Sequence, residues 1–582
     1  MMREIRSIIE DRIATAMEST GAPERTKALV VPATRPEFGD YQANGIMSVA
    51  KKLGKNPRDF AQAVVDSVEL NDIAESVDVA GPGFINIRLK LEWLNQFVNE
   101  ASNDSRVGIQ LVSNPSKVVI DYSHPNLAKE MHVGHLRSTV IGDTLARILE
   151  FCGHEVIRHN HVGDWGTQFG MLIAYMDRLS KSGEDFASEL EDLEAFYQAS
   201  RKLFDNDDDF AKTAREYVVK LQTGDDEVRS SWKRFVEASL QHCEQVYRVL
   251  DVTLKREDVR AESSYNDDLP DIVDHLRKKG LLCESDGAQC VFLEEFRNKE
   301  DVITPVIVQK SDGGYLYATT DLAALRYRTK VLEASRVLYI VDARQSLHLR
   351  QVFGVSRAAD LVPDYCKLEH HPFGTMLGND GKPFKTRTGG TVKLMELLRE
   401  AEERSFILIG EKNPDLTESE RREISRVIGI GSVKYADLSL NRTTDYVFNW
   451  DKMLSLEGNT APYLLYSCAR IKSIFRRAEI TEDQLGQLNG RITLADLSER
   501  ALAVKIVQLN EVVHAVAKEC FPNILCTYLY ELSEFFMKFY ERCPVLKTDD
   551  ETRISRLKLC KLTGEVLETG LGLLGIGTVR RM

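Results

Sequence analysis

Apolar and polar positions between residue 113 and about residue 390 follow two alternating periods. Short apolar runs, at residues 118–120 and in EVIRHNHVG, PVIVQKSDGGYLYATT and VLYIVDAR, predict buried strands. Stretches with apolar residues three and four positions apart, such as GTQFGMLIAYMDRL, DLAALRYR and QSLHLRQVFGVSRAA, predict helices between them. Because strands that alternate with helices build doubly wound parallel sheets, residues 113–390 predict a Rossmann-like α/β domain. Its site is expected at the carboxyl ends of the strands.

Other regions of the chain differ in pattern. Residues 1–112 start with a helical pattern and end in strand-like VDVAGPGFINIRL, which predicts an N-terminal α+β domain. A charged helical stretch from about 178 to 300 predicts an insertion on the sheet that is not itself sheet. After a connecting segment at 391–454, residues 455–582 predict an α-helical bundle. A chain of 582 residues is too long for one core, which agrees with this division.

Composition narrows the class of protein. The hydrophobic content of 43% is that of an ordinary globular protein, and no apolar run approaches the roughly 20 residues that span a bilayer. The first residues, MMREIRSIIEDRIATAM, mix acids and bases in a helical pattern, so we expect a cytoplasmic protein. Ten cysteines occur singly without a C-x-x-C pair, which predicts reduced thiols and no zinc or other metal site.

The net charge of −13 does not by itself predict a nucleic-acid partner. Residues 184–209 contain ten acidic and two basic residues, so this segment alone contributes −8. Residues 455–582 contain 17 basic and 16 acidic residues, a balance of +1. Since a local basic face matters more than the total, the charge leaves RNA binding open.

The most informative segment is DYSHPNLAKEMHVGHLRS at residues 121–138. His132, Gly134 and His135 form an H-x-G-H motif between a predicted strand and a predicted helix. A helix N-terminus has unsatisfied backbone N–H groups and a dipole that attracts anions. Imidazoles donate hydrogen bonds to phosphate oxygens, and a glycine admits a nucleotide close to the backbone. The motif therefore predicts nucleotide binding, although H-x-G-H alone occurs by chance in about one or two per cent of such sequences.

A second segment about 250 residues later strengthens this interpretation. Residues 376–391, MLGNDGKPFKTRTGGT, form a Gly-rich loop that carries Lys382, Lys385 and Arg387. On its own this could be a solvated basic loop. Together the two segments resemble the signature pair of class I aminoacyl-tRNA synthetases. The residues of these segments, PNLAKEMHVGHLRST and DGKPFKTRTGG, resemble those of arginyl-tRNA synthetases of bacterial type.

The resemblance implies an ATP-dependent ligase acting in two steps. The carboxylate of L-arginine attacks the α-phosphorus of ATP, which comes with Mg²⁺, giving arginyl-adenylate and pyrophosphate. The 2′-hydroxyl of the terminal adenosine of tRNA(Arg) then takes the arginyl group. Such phosphoryl chemistry needs alignment and charge stabilisation more than covalent help. The resemblance also implies a monomer.

Roles at the ATP site follow from the same resemblance. His132, Gly134 and His135 are expected to contact ATP. Lys382 and Lys385 are expected to close over its phosphates in a lid-type motion. Because the loop reads GKPFKTR where most class I synthetases read KMSKS, Lys129 is expected to share this role.

The block HNHVGDWGTQFG contributes further expectations for the same site. Gly163, Asp164 and Gly166 are expected near the ribose or adenine, with Trp165 as a wall. His159 and His161 are expected to be structural.

Arginine contacts are implied at Asp121, Asn126, Tyr317, Asp321 and Gln345. A guanidinium is planar and always charged, so carboxylates suit it. Tyr317 and Asp321 are four residues apart and are expected to face the guanidinium, with Glu262 as a less certain partner. Asn126 and Gln345 are expected at the amino and carboxylate ends. Asp321 could instead be a helix N-cap, and Asp121 is shorter than the glutamate of some relatives.

Contacts with tRNA are implied at both ends of the chain. PEFGDYQANGIMSVAKKL resembles the additional N-terminal domain that meets the corner of the tRNA, where Phe84 and Asn86 match base-contacting positions. The C-terminal bundle resembles the anticodon-binding domain, and residues 391–454 would contact the stem. Aromatic rings at helical spacing are more often core, and Phe84 could be core as well. The residues proposed to contact the anticodon are Tyr463, Tyr466, Arg470, Tyr540 and the terminal Met582.

Two other functions stay open at this point. Other H-x-G-H enzymes form adenylates or transfer nucleotidyl groups, such as cysteine ligases or cofactor-biosynthesis synthetases. They usually lack a bundle after the loop, and the cysteine-activating ones use zinc-binding cysteines. A tRNA-binding regulator derived from a synthetase is expected to lose the motif histidines or the loop lysines, all of which are present here.

Overall fold

In a computed structural model of the protein, residues 4–182, 192–384 and 392–582 are described. The N-terminal region has helices on an antiparallel sheet with strand order β1-β2-β4-β3. Along β4, Ile85, Ile87 and Leu89 are buried, whereas Phe84 and Asn86 lie on the outer face. The α+β prediction is confirmed. The elements are α1 (Ile5–Ser19), β1 (Val30–Pro32), β2 (Tyr41–Ala43), α2 (Ile46–Lys52), α3 (Pro57–Ser67), β3 (Ala74–Ala80), β4 (Phe84–Leu89) and α4 (Leu91–Ala101).

The central region contains a parallel sheet with strand order β11-β10-β5-β6. The order reverses between β5 and β10, so the predicted doubly wound topology is confirmed and its switch point lies there. Alternate residues of β5 enter different cores, Val118 and Ile120 on one face and Val119 on the other. The first elements of this region are β5 (Lys117–Asp121), α5 (Val133–Phe151), β6 (Glu155–His159) and α6 (Thr167–Ser182).

The predicted insertion is only partly helical. Its described helices are α7 (Leu193–Asn206), α8 (Asp208–Thr223), α9 (Asp226–Val249) and α10 (Leu269–Lys278). Three strands then form a separate antiparallel sheet, namely β7 (Leu282–Ser285), β8 (Ala288–Val291) and β9 (Val306–Gln309).

The exclusion of sheet from 178–300 was therefore wrong, and the PVIVQ run does not join the parallel sheet. In β9, Val306 and Val308 are buried while Ile307 is exposed. One covered face is typical of an antiparallel sheet, whereas the strands of a doubly wound sheet are covered on both faces.

The second half of the sheet and the connecting segment follow in order. They comprise α11 (Tyr317–Arg326), β10 (Arg336–Tyr339), α12 (Ser346–Ala358), β11 (Lys367–His370), β12 (Met376–Leu377), α13 (Leu394–Lys412), α14 (Glu418–Leu438), β13 (Tyr446–Val447) and α15 (Trp450–Met453). β12 pairs with β13 in parallel. This pairing joins the start of the Gly-rich loop to the segment that precedes the C-terminal bundle.

The C-terminal region is helical, which confirms the predicted bundle. Its helices are α16 (Ala461–Ala478), α17 (Glu482–Gln487), α18 (Leu497–Val507), α19 (Leu509–Glu519), α20 (Asn523–Arg542) and α21 (Asp550–Leu573). The bundle packs on the N-terminal region through a buried ion pair, in which Arg500 donates to both carboxylate oxygens of Asp40 at 2.9 and 2.7 Å. Among the helices of the described residues, none is long and apolar enough to cross a membrane.

Candidate active site

Helix α5 begins with two imidazoles that cap it. Nδ1 of His132, the N-cap residue, accepts a hydrogen bond from the backbone N–H of Gly134 at 3.0 Å. Nδ1 of His135 accepts one from the backbone N–H of His132 at 3.1 Å, and the two ring centroids lie 4.1 Å apart. This is a capping box built from histidines in place of the usual hydroxyl and carboxylate side chains. The structure thus brings both motif histidines to one helix N-terminus.

The capping hydrogen bonds also determine which nitrogen of each neutral ring carries the proton. Because each Nδ1 accepts a hydrogen bond, a neutral ring carries its proton on Nε2, from which it can donate to a ligand. Burial and then the charge of Lys129 lower the pKa of His132. Burial and then His132 lower the pKa of His135 to about 3. At neutral pH the helix N-terminus therefore offers two neutral Nε2–H donors, which suits a phosphate group.

The structure shows why position 134 requires a glycine, which the sequence did not reveal. A Cβ at this position would lie 2.7 Å from Cε1 and 2.9 Å from Nδ1 of His132. Any side chain would push the capping imidazole out of place. The close approach of a ligand to Gly134 stays a prediction, while the first need for glycine here is room for the His132 ring.

Basic residues of the two signature segments lie in different settings. The charge of Lys129 lowers the pKa of both motif histidines, and its Nζ lies 4.3 Å from the ring centroid of Tyr197 in α7. The Gly-rich loop is described as far as Phe384. Its Lys382 is exposed, and the backbone N–H of Lys382 donates to Asp380 at 3.1 Å. Lys385 and Arg387 lie outside the described residues.

A buried ion pair lies at the switch point of the sheet. Asp121 ends β5, and its Oδ2 accepts a hydrogen bond from Nη2 of Arg328 at 2.5 Å. Nε of Arg328 donates to Nδ1 of His159, the last residue of β6, at 2.9 Å. Arg328 belongs to a π-helical turn, Tyr327–Val331, that extends α11, and such turns are frequent at functional sites. Burial disfavours the Asp121 carboxylate, yet Arg328 and the nearby histidines hold its pKa well below the usual range.

This pairing bears on the predicted contact between Asp121 and arginine. Asp121 and Arg328 are each 1% exposed, so the carboxylate is already committed to a protein guanidinium. The geometry argues against direct contact with a substrate guanidinium and favours a role through Arg328. Sequence reasoning missed Arg328 because one arginine in a helical pattern gives no signal of burial.

Backbone strain and unsatisfied polar atoms concentrate near the switch point. Ser123 (φ 78°) and His124 (φ 51°) both adopt left-handed conformations directly after Asp121. Within the described part of the chain, Oδ1 of Asp121, Nη1 of Arg328 and the hydroxyl of Tyr339 are buried without a hydrogen-bond partner. Such features persist where function requires them, so they mark this region as a site.

Three carboxyl groups cluster beside the switch point. Glu262 opens a 3-10 turn, Asp164 lies in the loop after β6, and Asp321 lies in the second turn of α11. Burial and then repulsion from Asp164 and Asp321 raise the pKa of Glu262 to about 7. This excess of negative charge suits a cationic ligand.

The carboxylate of Asp164 is held by one neighbouring residue, Ser263. Its carboxylate is buried and accepts hydrogen bonds from the backbone N–H (2.9 Å) and the hydroxyl (2.6 Å) of Ser263. Its charge therefore adds to the carboxylate cluster, and its proximity to the ribose or adenine stays a prediction. The neighbouring Gly166 is left-handed (φ 102°), and Trp165 packs edge-on against Trp232.

Asp321 is held by a residue that the sequence analysis missed. Nε2 of His348 in α12 lies 2.5 Å from Oδ2 of Asp321, and this hydrogen bond raises the pKa of His348. Helix α11 begins at Tyr317 with Leu316 as its N-cap, so the N-cap alternative for Asp321 was wrong.

The remaining predicted arginine contacts lie at open positions. Tyr317 is 70% exposed, and Asn126 and Gln345 are exposed as well. Oδ1 of Asn126 accepts a hydrogen bond from the N–H of Ala128 at 3.0 Å, which leaves its amide NH₂ to donate. Asn126 also pairs with Gly163 through a parallel bridge, so two predicted site residues are adjacent.

Three of the predicted tRNA contacts form one cluster. The guanidinium of Arg470 lies 4.9 Å from the ring centroid of Tyr466 and 5.4 Å from that of Tyr540, and it donates to the Tyr466 hydroxyl. Tyr463 instead packs against Tyr530, with centroids 5.5 Å apart. The end of the chain is tied to α16, because Arg476 donates to the carbonyl of Arg580 at 2.9 Å.

Phe84 and Asn86 share the outer face of the N-terminal sheet. Phe84 is half-buried on that face, so the alternative that it is core was wrong. Oδ1 of Asn86 accepts a hydrogen bond from the side chain of Gln42 at 2.7 Å. Met582, at the end of the chain, packs against the hydrophobic core.

One group of potential metal ligands lies away from this site. Glu369, His371 and Cys520 have ligand atoms within 4.8 Å of one another. Arg336 donates to Glu369 (2.7 Å) and to Cys520 (3.5 Å), and a guanidinium nitrogen of Arg442 lies 3.1 Å from Nδ1 of His371. Two guanidinium groups disfavour a cation here. The expectation of no zinc stays a prediction.

A histidine-capped helix N-terminus at the switch point of a parallel sheet, followed by a helical bundle, agrees with a class I aminoacyl-tRNA synthetase, and family models show that the chain is of this class. The model for tRNA synthetases class I (R), catalytic domain, matches residues 98–450. Those for the arginyl tRNA synthetase N terminal domain and the DALR anticodon binding domain match residues 3–89 and 464–582.

Relatives narrow the class to one family. The arginine–tRNA ligase of Marinomonas sp. (strain MWYL1) is 56% identical over 578 residues, which cover 99% of this chain and 100% of that protein. That of Hahella chejuensis is 55% identical over 581 residues, with 99% and 100% coverage. The crystal structure of arginyl-tRNA synthetase from Plasmodium falciparum superimposes with a TM-score of 0.86 at 30% identity, covering 100% of both chains. The chain belongs to the arginyl-tRNA synthetase family.

Proposed function

We propose that this chain activates L-arginine with ATP to arginyl-adenylate and transfers the arginyl group to the 2′-hydroxyl of the terminal adenosine of tRNA(Arg), releasing AMP and pyrophosphate. Besides family membership, the proposal is supported by two groups of side chains that lie near each other. A helix N-terminus with two neutral Nε2–H donors lies at the same sheet edge as the three-carboxylate cluster. The first suits a triphosphate and the second suits a guanidinium, which are the charged ends of the two substrates.

In the activation step, an oxygen of the arginine carboxylate bonds to the α-phosphorus of ATP as the bond to the bridging oxygen breaks and pyrophosphate leaves. ATP enters as its Mg²⁺ complex. His132 and His135 donate from Nε2 to phosphate oxygens, and the ammonium groups of Lys129 and Lys382 stabilise the charge that develops on them. Lys385 is proposed for the same role, and Gly163, Asp164 and Gly166 are proposed to border the ribose or adenine.

Recognition of arginine is assigned to the carboxylate cluster. Asp321, oriented by His348, and Glu262 accept hydrogen bonds from the guanidinium beside Tyr317. Asn126 and Gln345 are proposed at the amino and carboxylate ends of the substrate, where an amide oxygen can accept from the α-ammonium and an amide NH₂ can donate to the carboxylate. Asp121 is proposed to act indirectly, by holding the guanidinium of Arg328 in place. Alignment of the arginine carboxylate with the α-phosphorus is the main contribution of these contacts.

Binding of tRNA is assigned to both ends of the chain. The outer face of β4, with Phe84 and Asn86, is proposed to meet the tRNA corner, and residues 391–454 the stem. In the bundle, the rings of Tyr466 and Tyr540 with Arg470 between them offer stacking surfaces and a cation to unpaired bases. Tyr463 and Met582 are proposed at the edge of this surface.

Aminoacylation of total tRNA with each labelled amino acid, in ATP and Mg²⁺, tests the proposal. Charging with arginine alone is the expected result. Asp321→Asn is expected to reduce arginine charging about 100-fold, as for loss of a charged hydrogen-bond partner. Asp364→Asn, a change at an exposed loop position, serves as the matched control. Charging with another amino acid would show that the pocket assignment is wrong. No charging by folded protein would favour a tRNA-binding regulator.

A further inference from the structure

The residues just after the Gly-rich loop pair directly with the H-x-G-H segment. The N–H of Leu394 donates to the carbonyl of Met131 at 2.9 Å, and that of Val133 donates to the carbonyl of Val392 at 3.1 Å. His132 and Lys393 form the antiparallel bridge between them. The backbone of the N-cap histidine is therefore fixed against that of Lys393.

The side chain of Lys393 joins two further segments. Its Nζ lies 3.3 Å from Oε1 of Glu130 and 3.0 Å from Oδ1 of Asp192. Asp192 is the N-cap of α7, since the same Oδ1 accepts from the N–H of Ala195 at 3.0 Å. Burial opposes the charge, yet Asp192 and Glu130 raise the pKa of Lys393, so its ammonium is charged at neutral pH.

The first turns of α7 also reach the other side of the motif. The ammonium of Lys129 lies over the ring of Tyr197, and the charge of Glu194 partly offsets the lowering of the His132 pKa by burial and Lys129. No role for the acidic stretch at 184–209 could be predicted from the sequence. The part of it that the structure describes begins at residue 192 and lies next to the proposed ATP site. Lys129 and Lys393 both bind to this one helix.

The position of Lys393 matters for ATP binding because Lys393 pairs with Glu130, a carboxylate close to the proposed phosphate site. Glu130 lies two residues before the N-cap histidine, where an anionic ligand is proposed to bind. An unpaired carboxylate there repels phosphate groups, and a half-buried one is weakly screened by solvent. The one ammonium group of Lys393 lies between this carboxylate and that of Asp192 and offsets one of their two negative charges.

We propose that Lys393 is a positioning residue for ATP: it fixes the N-cap histidine through the paired backbone and, bridging Glu130 and Asp192, offsets negative charge beside the phosphate site. This inference rests on the proposed function, because it takes His132 as a phosphate contact. The ammonium acts through neighbouring groups and does not take part in the reaction.

Steady-state arginylation of tRNA, with ATP, arginine and tRNA each varied, tests the inference. Lys393→Met keeps an unbranched side chain that is one atom shorter and removes its charge. We expect its KM for ATP to rise about tenfold, which corresponds to about 1.4 kcal/mol. Its KM values for arginine and tRNA should stay within about twofold of the wild type, because their proposed sites do not include Glu130.

Two rescue variants separate this role from a merely structural one. Lys393→Arg keeps the charge and should restore the KM for ATP to within about twofold. Lys393→Met combined with Glu130→Gln removes the repelling carboxylate and should recover at least about threefold of the lost affinity. Lys278→Met is the matched control, since Lys278 forms an exposed pair with Asp274 at 2.8 Å.

Three results would overturn the inference. One is an unchanged KM for ATP in folded Lys393→Met. The second is an equal rise of all three KM values, and the third is no recovery in the double variant. If Lys393→Met does not fold, Asp192→Asn decides on the same readout. It keeps the helix cap and leaves Lys393 and Glu130 as a neutral pair, so the KM for ATP should fall by about threefold; an unchanged or higher KM would overturn the inference. Failure of the wild type to charge tRNA with arginine would instead refute the proposed function, whatever the variants do.

Discussion

Replacement of His132 by asparagine and by glutamine should separate the two nitrogens of its ring. Nδ1 caps helix α5 by accepting from Gly134, while Nε2–H is left to donate to ATP. The amide oxygen of asparagine can take the place of Nδ1, and asparagine is among the best N-cap residues. The longer glutamine places its amide nearer the position of Nε2 and caps poorly.

The expected magnitudes differ in kind for the two variants. His132→Asn should retain the free energy of unfolding to within about 0.5 kcal/mol, because the cap survives. Its kcat should fall by about 10²- to 10³-fold, as for loss of one preorganised donor to a developing charge. His132→Gln should lose about 1 kcal/mol of stability with the cap while retaining more activity than His132→Asn.

Urea unfolding and tRNA-dependent exchange of pyrophosphate into ATP, measured on the same preparations, check this pair. His135→Asn is a useful companion, since Nδ1 of His135 also accepts a backbone N–H. The reasoning is refuted if His132→Asn is as active as the wild type or if it is the less stable of the two variants. Either outcome would mean that the ring does not divide its nitrogens between cap and ligand.

Three further predictions address other parts of the site. Since Glu262 has a pKa of about 7 and a guanidinium binds the ionised form, the KM for arginine should rise as pH falls below 7, by up to about tenfold per pH unit. Glu262→Gln should raise this KM and flatten its pH profile; a profile unchanged by the substitution contradicts the assignment. Gly134→Ala should lower kcat about 100-fold by displacing the His132 ring, whereas Gly572→Ala, where a Cβ meets nothing within 4 Å, should leave kcat unchanged. Arg470→Ala should raise the KM for tRNA about tenfold without changing the KM for ATP, and equal changes in both would argue against an anticodon contact.

The sequence predicted the elements whose signals are local. The apolar run at 118–120 and the helical spacing after it gave β5 and α5 close to their observed bounds. Periodicity also predicted the helical bundle and the doubly wound sheet. It missed β7 and β8, because short strands in a charged segment carry little apolar signal, and it assigned the strand at 306–309 to the wrong sheet.

The candidate site shows the same division. His132, Gly134 and His135 are adjacent in the chain, so their chemistry could be recognised from their spacing, although the capping geometry could not. His348, Arg328 and Lys393 gave no signal. Each acts on a partner at least 27 residues away in the chain, as His348 does on Asp321 and Arg328 on Asp121. Single charged residues in polar contexts look alike until the fold assigns them a partner.

The sequence by itself determined the family, the order of domains and the two signature segments, because these depend on local patterns and on motif wording. Only the tertiary structure decided which charges are compensated. It paired Asp121 with Arg328, gathered Asp164, Glu262 and Asp321 into one cluster, and placed the first turn of α7 near His132. The physical reason is that burial and electrostatic interaction depend on distances in space, which chain order does not specify for residues on different elements.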